Sequence, residues 1–185
     1  GLVNYFIDPG HLFTDAYEQK IAAGLVKGYN IDHLSDCNDR RLQRILAKKF
    51  ITRHKTLIMG SSHTLLFKKE DVHSDSFFNC GMAGQTLEDL MGIYLLYSEA
   101  NQLPDTLYIC ADPWFLNGNT DQSRWLEYLP EIRRNWVANR LPAPNNIKSY
   151  YPNFVFKYQQ FFSPAYFQLC LKEMFTEKQE LDLMP

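Results

Sequence analysis

A serine pair, Ser61 and Ser62, is the feature of the sequence whose residue types could do chemistry. The pair follows an apolar run at residues 57–59 that is typical of a strand buried on both faces. Gly60 lets the backbone turn sharply where this strand ends. A hydroxyl is therefore expected at the carboxyl edge of a sheet, which is the edge where open α/β sheets bind their ligands.

The composition limits the class of protein. The chain has 185 residues, of which 45% are hydrophobic and 15% aromatic, so we expect a single packed domain over residues 1–185. The net charge of -2 gives no electrostatic footprint for nucleic acid, and we expect no nucleic-acid partner. The basic residues of one segment are predicted to line the solvated side of a helix: Arg40, Arg41, Arg44, Lys48 and Lys49.

Cysteine spacing and hydropathy bear on metals and membranes. The four cysteines are widely spaced, with neither a Cys-x-x-Cys pair nor a histidine at metal-ligand spacing, so we expect no metal and no cofactor. No run of eighteen apolar residues could cross a membrane. The chain begins with Gly1 and an apolar segment, which predicts export or membrane anchoring through an N-terminal segment that has been removed.

The order of predicted elements indicates an α/β protein with a mostly parallel sheet. Strands are predicted at residues 57–59, 77–80 and 106–111, and Thr86 with Asp89 predicts the start of a helix between the last two. This strand, turn, helix, strand order is typical of a βαβ unit. We predict a three-layer α/β/α sandwich with a short sheet and a helical C-terminal region.

The remaining segments are assigned from their local patterns. Residues 2–13 are predicted to be extended, because they are apolar and carry an Asp-Pro-Gly turn. The proline-rich residues 142–153 are predicted to be a loop. Helices are predicted at residues 15–27, from residue 38 to about residue 50, at 125–141 and at 163–175.

Three blocks at the predicted strand ends carry a family resemblance. Gly60-Ser61-Ser62, residues 79–86 and residues 108–112 resemble the first three blocks of the SGNH (GDSL-like) hydrolase superfamily. The chain is most similar to the anchored extracytoplasmic branch that transfers acyl groups to cell-surface polymers. The resemblance covers about residues 56–117, and the order of the blocks is more specific than any one block alone.

The resemblance implies roles for particular residues. It makes Ser62 the nucleophile and the amide of Gly84 an oxyanion donor. The third block of the family normally supplies an asparagine donor, whereas this chain has Asp112, an acceptor when ionised, followed by Pro113. Asn117 in the following loop could replace that donor, or it could be a solvated side chain after a turn.

The general base is not specified, because the family's final Asp-x-x-His block is absent near the C-terminus and every histidine precedes the third strand. His63 is adjacent to the nucleophile. The N-terminal segment has the same Asp-x-x-His spacing, which would make His11 the base and Asp8 the carboxylate that orients it. In the third alternative no base exists and the fold is reused as a scaffold.

The resemblance implies a serine esterase or O-acyltransferase that acts on a small-molecule or carbohydrate acyl ester. A catalytically silent binding or assembly subunit at the cell surface is the alternative. A flavodoxin-like phosphate-binding module is less favoured, because the Gly-Ser-Ser loop has no nearby lysine and no Walker spacing.

Overall fold

A computed structural model describes residues 2–31, 37–50, 52–116, 123–139, 158–175 and 183–184. Its contacts group the chain into two compact units, residues 1–37 with 143–185 and residues 38–142. Each unit is described by itself, and the single domain over 1–185 stays a prediction.

The described elements alternate between helices and short strands. The helices are α1 (Leu2–Ile7), α2 (Ala16–Val26), α3 (Asp39–Lys49), α4 (Leu87–Glu99), α5 (Leu129–Ala138) and α6 (Pro164–Phe175). The strands are β1 (Asn30–Ile31), β2 (Thr56–Met59), β3 (Phe77–Asn79), β4 (Thr106–Ile109) and β5 (Leu183–Met184). Short 3₁₀ helices span Ser62–Leu66, Pro113–Leu116 and Arg124–Tyr128.

The unit of residues 38–142 is built on a three-stranded parallel sheet in the order β3-β2-β4. Ile58 of β2 is level with Asn79 of β3 on one side and with Tyr108 of β4 on the other. The central strand is buried on both faces, since Leu57 is fully buried on one face and Ile58 is 4% exposed on the other, as its uninterrupted apolar run predicts. The mixed α/β class and the parallel sheet are therefore confirmed.

Helix capping fixes where α3 and α4 begin. The side chain of Asn38 accepts a hydrogen bond from the amide of Arg41 at the start of α3. Thr86 and Asp89 form a reciprocal capping box at the start of α4. Both helices contact each other, and α4 also packs on α5 and on the 3₁₀ helix of residues 124–128. Gly92 of α4 leaves no room for a side chain against Tyr128.

The unit formed by residues 1–37 and 143–185 contains α1, α2, α6 and the antiparallel pair β1-β5. Residues 2–7 are helical, so the prediction of an extended segment there is wrong. The reason is a tertiary one: the amide of Asn4 donates to the carbonyls of Gln160, Phe161 and Ser163, and α1 packs on α6. The predicted loop at 142–153 lies outside the described residues.

Candidate active site

The three sequence blocks lie at one edge of the parallel sheet. Because β2 lies between β3 and β4 and all three run in the same direction, their carboxyl ends meet. Beyond the strands, the amide of Met82 donates to the carbonyl of Gly60, 3.0 Å away. The turn after β2 and the loop after β3 are therefore hydrogen-bonded neighbours, as the parallel pairing predicts.

The serine turn presents one hydroxyl and buries the other. Ser61 is fully buried and caps the 3₁₀ helix, and its carbonyl accepts hydrogen bonds from the amide and the hydroxyl of Thr64 at 2.9 and 2.7 Å. Ser62 is the first residue of that helix and is exposed. Within the described part of the chain, neither its hydroxyl nor its amide makes a hydrogen bond. Ser62 is thus the accessible hydroxyl of the pair.

Asn79 ties the two loops together from the end of β3. Its side-chain amide donates to the carbonyls of Thr64 and Phe67 at 2.7 and 3.2 Å, and its carbonyl oxygen accepts from the amide of Gly81 at 2.8 Å. One side chain therefore holds the 3₁₀ helix that begins at Ser62 against the start of the second loop. A Cβ added to Gly81 would collide with Thr64, which explains the glycine there.

A buried arginine holds the loop that follows β3 by its backbone carbonyls. Arg40 of α3 is fully buried and donates to the carbonyls of Ala83 and Gly84 at 2.7 and 2.9 Å. The same guanidinium pairs with Asp89 at 2.9 Å and with Asp39 at 3.0 Å. The prediction that Arg40 lies on the solvated side of its helix is therefore wrong.

The pKa values of Arg40 and Asp89 are shifted by burial and by the charge of the partner. Burial alone would lower the pKa of Arg40, but Asp89 and Asp39 outweigh it and the pKa is raised. Burial raises the pKa of Asp89, with the guanidinium and Thr86 opposing the shift. Three other basic residues of α3 also meet carboxylates, since Arg41 pairs with Glu127 and both Arg44 and Lys48 pair with Glu131.

The arginine also sets the direction of the Gly84 amide. Ala83 C=O and Gly84 N–H belong to one trans peptide group, so they point in opposite directions. Because the carbonyl is fixed on Arg40, the N–H points away from it. This amide makes no hydrogen bond within the described residues. Gly84 has a φ of +57°, a conformation that glycine adopts without strain.

The third block places a carboxylate and an imidazole together. Asp112 follows β4, and its side chain is 11% exposed. Its Oδ1 lies 3.4 Å from Nδ1 of His63, which is also 3.2 Å from Oγ of Ser61. Asp112 Oδ2 is buried without a hydrogen-bond partner in the described chain. Asn117, the predicted replacement donor, lies outside the described residues.

Asp8 and His11 belong to the other compact unit, where Asp8 has a structural role. Its carboxylate is 4% exposed and accepts from the hydroxyl of Tyr166 at 2.7 Å and from three backbone amides, those of Leu12, Phe13 and Thr14. The imidazole of His11 stacks on Tyr17, with ring centroids 4.4 Å apart. The orienting role of Asp8 and the pairing of His11 with Ser62 both stay predictions.

Cys80, in the second block, is excluded as a nucleophile. It is fully buried, and burial raises the pKa of its thiol to about 12, although a hydrogen bond with Tyr97 opposes the shift. A thiol with such a pKa is almost wholly protonated at neutral pH and is a poor nucleophile. The exposed hydroxyl of Ser62 remains the better candidate on this edge.

Two functional contacts escaped prediction from the sequence. Arg40 was assigned to solvent because a basic residue in a helix rarely lies in the core, and no local pattern reveals its carboxylate partner. His63 lies four residues after the end of β2 and Asp112 lies three residues after the end of β4. These positions could have predicted their proximity, since parallel neighbours bring their carboxyl ends together.

Comparison with known proteins yields no match among family models, curated proteins or solved structures. Within the described ranges, no group of three or more His, Cys, Asp or Glu side chains is placed to hold a metal ion. In the same ranges, no helix combines the length and the apolar character needed to cross a membrane.

Proposed function

We propose that this chain is an SGNH-like serine esterase or O-acyltransferase that acts on ester-linked acyl groups, with surface carbohydrate as the favoured carrier. The proposal includes a three-layer α/β/α arrangement of the SGNH or flavodoxin-like type and an exported or membrane-anchored location. The observation that carries it is an exposed serine and a glycine amide on adjacent loops of one sheet edge, neither of which makes a hydrogen bond to any described residue.

The proposed chemistry is acyl transfer through a covalent intermediate. Ser62 Oγ attacks the acyl carbonyl carbon, and the carbonyl oxygen becomes an oxyanion. The amides of Ser62 and Gly84 donate to that oxygen. Collapse expels the alcohol of the ester, and water or an acceptor hydroxyl then removes the acyl group from Ser62.

The framework around the site supports preorganised donors. An oxyanion donor accelerates acyl transfer only if it already points at the developing charge, and loss of one donor typically costs about 10²–10³ in rate. Arg40 fixes the peptide of Gly84, and Asn79 fixes the turn of Ser62. Both amides are therefore held in place, and neither donates a hydrogen bond to a described residue.

A serine-directed fluorophosphonate probe tests the proposal. We expect the wild-type chain to be labelled and Ser62→Ala to lose labelling. Ser98→Ala in α4 is the matched control, since this serine lies away from the strand ends. The proposal that this chain is an enzyme would be refuted if the wild-type protein took up no label while its circular dichroism spectrum was that of a folded α/β protein.

A silent binding or assembly subunit is the second candidate. Asp112 favours it, because an ionised carboxylate stands where the resembling family has an asparagine donor. In that case the probe would label no serine, and the same edge would bind a surface polymer without turning it over. Binding of acylated polysaccharide by the unlabelled protein would support this candidate.

A further inference from the structure

We propose that His63 is the general base of this edge and that Asp112 is the positioning residue that orients it. The inference rests on the proposed acyl-transfer function and supplies the base that the sequence left open. The base would then be the residue that follows Ser62, whereas the resembling family takes its histidine from an Asp-x-x-His block near the C-terminus.

The geometry assigns the two ring nitrogens different roles. Asp112 Oδ1 lies 3.4 Å from His63 Nδ1, so the carboxylate holds the proton on Nδ1. In that tautomer Nε2 carries the lone pair and can accept a proton. The oxygen of Ser61, 3.2 Å from the same Nδ1, gives the ring a second fixed contact.

Burial and exposure fit the same assignment. The side chain of Asp112 is 11% exposed and that of His63 is 71% exposed, so the carboxylate is held in the protein while the ring reaches solvent. His63 follows directly on Ser62, which is also exposed. Asp112 Oδ2 is buried and has no hydrogen-bond partner within the described residues, and the imidazolium that forms when His63 takes the serine proton would compensate its charge.

The proton transfers balance over one cycle. As Ser62 Oγ bonds to the acyl carbon, its O–H bond breaks and the proton passes to Nε2, directly or through one water. When the tetrahedral intermediate collapses, the C–O bond to the alcohol breaks and the leaving oxygen takes that proton. In the second half, water or an acceptor hydroxyl gives its proton to Nε2 while it attacks the acyl carbon, and Ser62 recovers it.

The rate of fluorophosphonate labelling tests the inference on the intact chain. His63→Ala should slow labelling by about three orders of magnitude or more, as loss of a triad member does. Added imidazole should restore part of that rate in His63→Ala, whereas a merely structural loss would not respond. His73→Ala is the matched control, because this histidine lies in the exposed turn at residues 69–73.

Asp112→Asn separates two roles by the sign of its effect. If Asp112 orients the imidazole, the amide weakens that hold and labelling slows at least tenfold. If the position is a defective oxyanion site, asparagine restores a donor and labelling is unchanged or faster, which overturns the inference.

Failure of the inference and failure of the proposed function give different results. Wild-type protein that is labelled through Ser62, together with an unimpaired His63→Ala variant, overturns the base assignment alone. A loss of labelling in His11→Ala but not in His63→Ala would place the base in the N-terminal segment. Absence of labelling in the wild type overturns the function and the inference together.

Discussion

Replacement of Arg40 by methionine should destabilise the unit of residues 38–142 more than any surface change. Methionine keeps most of the length and apolar volume but removes the charge. Asp89, which is fully buried, would then lack its cationic partner. Removing one member of a buried ion pair costs about 3–5 kcal/mol, because the remaining charge stays desolvated.

The lost hydrogen bonds add to this cost. The carbonyls of Ala83 and Gly84 each lose a charged donor, and a typical hydrogen bond contributes about 1 kcal/mol net. The terms are not additive, so we expect a loss of about 4 kcal/mol, a large fraction of the 5–15 kcal/mol of an ordinary domain. Arg40→Lys keeps a charge without the planar fork and should lose about 1–3 kcal/mol.

Urea unfolding followed by tryptophan fluorescence measures the effect, because all three tryptophans lie within residues 38–142. A double-mutant cycle with Asp89→Asn isolates the pair, and the coupling energy should exceed about 1.5 kcal/mol. Arg41→Met is the matched control on the same helix, since its ion pair with Glu127 is partly exposed. If Arg40→Met changes stability by less than about 0.5 kcal/mol, the reasoning about the buried pair is wrong.

Two further substitutions test the packing and the charges of the same unit. Gly60→Ala should cost about 1–3 kcal/mol in urea unfolding, because the added Cβ would meet Thr64 and lie 2.7 Å from Cβ of Cys110; an unchanged midpoint would contradict the close packing. Burial acts to raise the pKa of Glu131, but Lys48 and other basic partners outweigh it and hold the pKa below 4.5. Stability should therefore be fully present above the usual carboxyl pKa and fall as the pH drops through and below it, and Glu131→Gln should be less stable at neutral pH and lose this contribution.

Sequence patterns a few residues long predict those strands and helix ends that depend on neighbouring residues alone. The buried run at residues 57–59 identified the central strand, and the polar caps Asn38 and Thr86 identified the starts of two helices. These features depend on a few neighbouring residues. By contrast, the six residues of α1 are helical because they pack on residues more than 150 positions away, and no local pattern contains that information.

The inward face of α4 shows the same limit. Leu87 and Tyr94 are apolar or aromatic, yet they are 50% and 43% exposed, whereas Asp89 is fully buried. A prediction from hydrophobic periodicity places every carboxylate on the solvent-facing side of a helix. Asp89 instead shares the buried face of α4 with Leu90 and Ile93. There it pairs with Arg40, which also holds the carbonyl of Gly84.

The acidic residue of the third block can be understood through charge rather than through hydrogen bonding. An ionised Asp112 beside an oxyanion would oppose its formation, so a carboxylate at that position fits acyl transfer only if a positive charge develops closer to it. His63 becomes an imidazolium when it takes the proton of the serine, and its Nδ1 lies 3.4 Å from Asp112. Two unit charges about 4 Å apart near a protein surface attract by about 4 kcal/mol, and the exposure of the ring reduces this value. On the proposed mechanism, the carboxylate therefore stabilises the transition state through the base, in place of the donor that an asparagine would supply to the oxyanion.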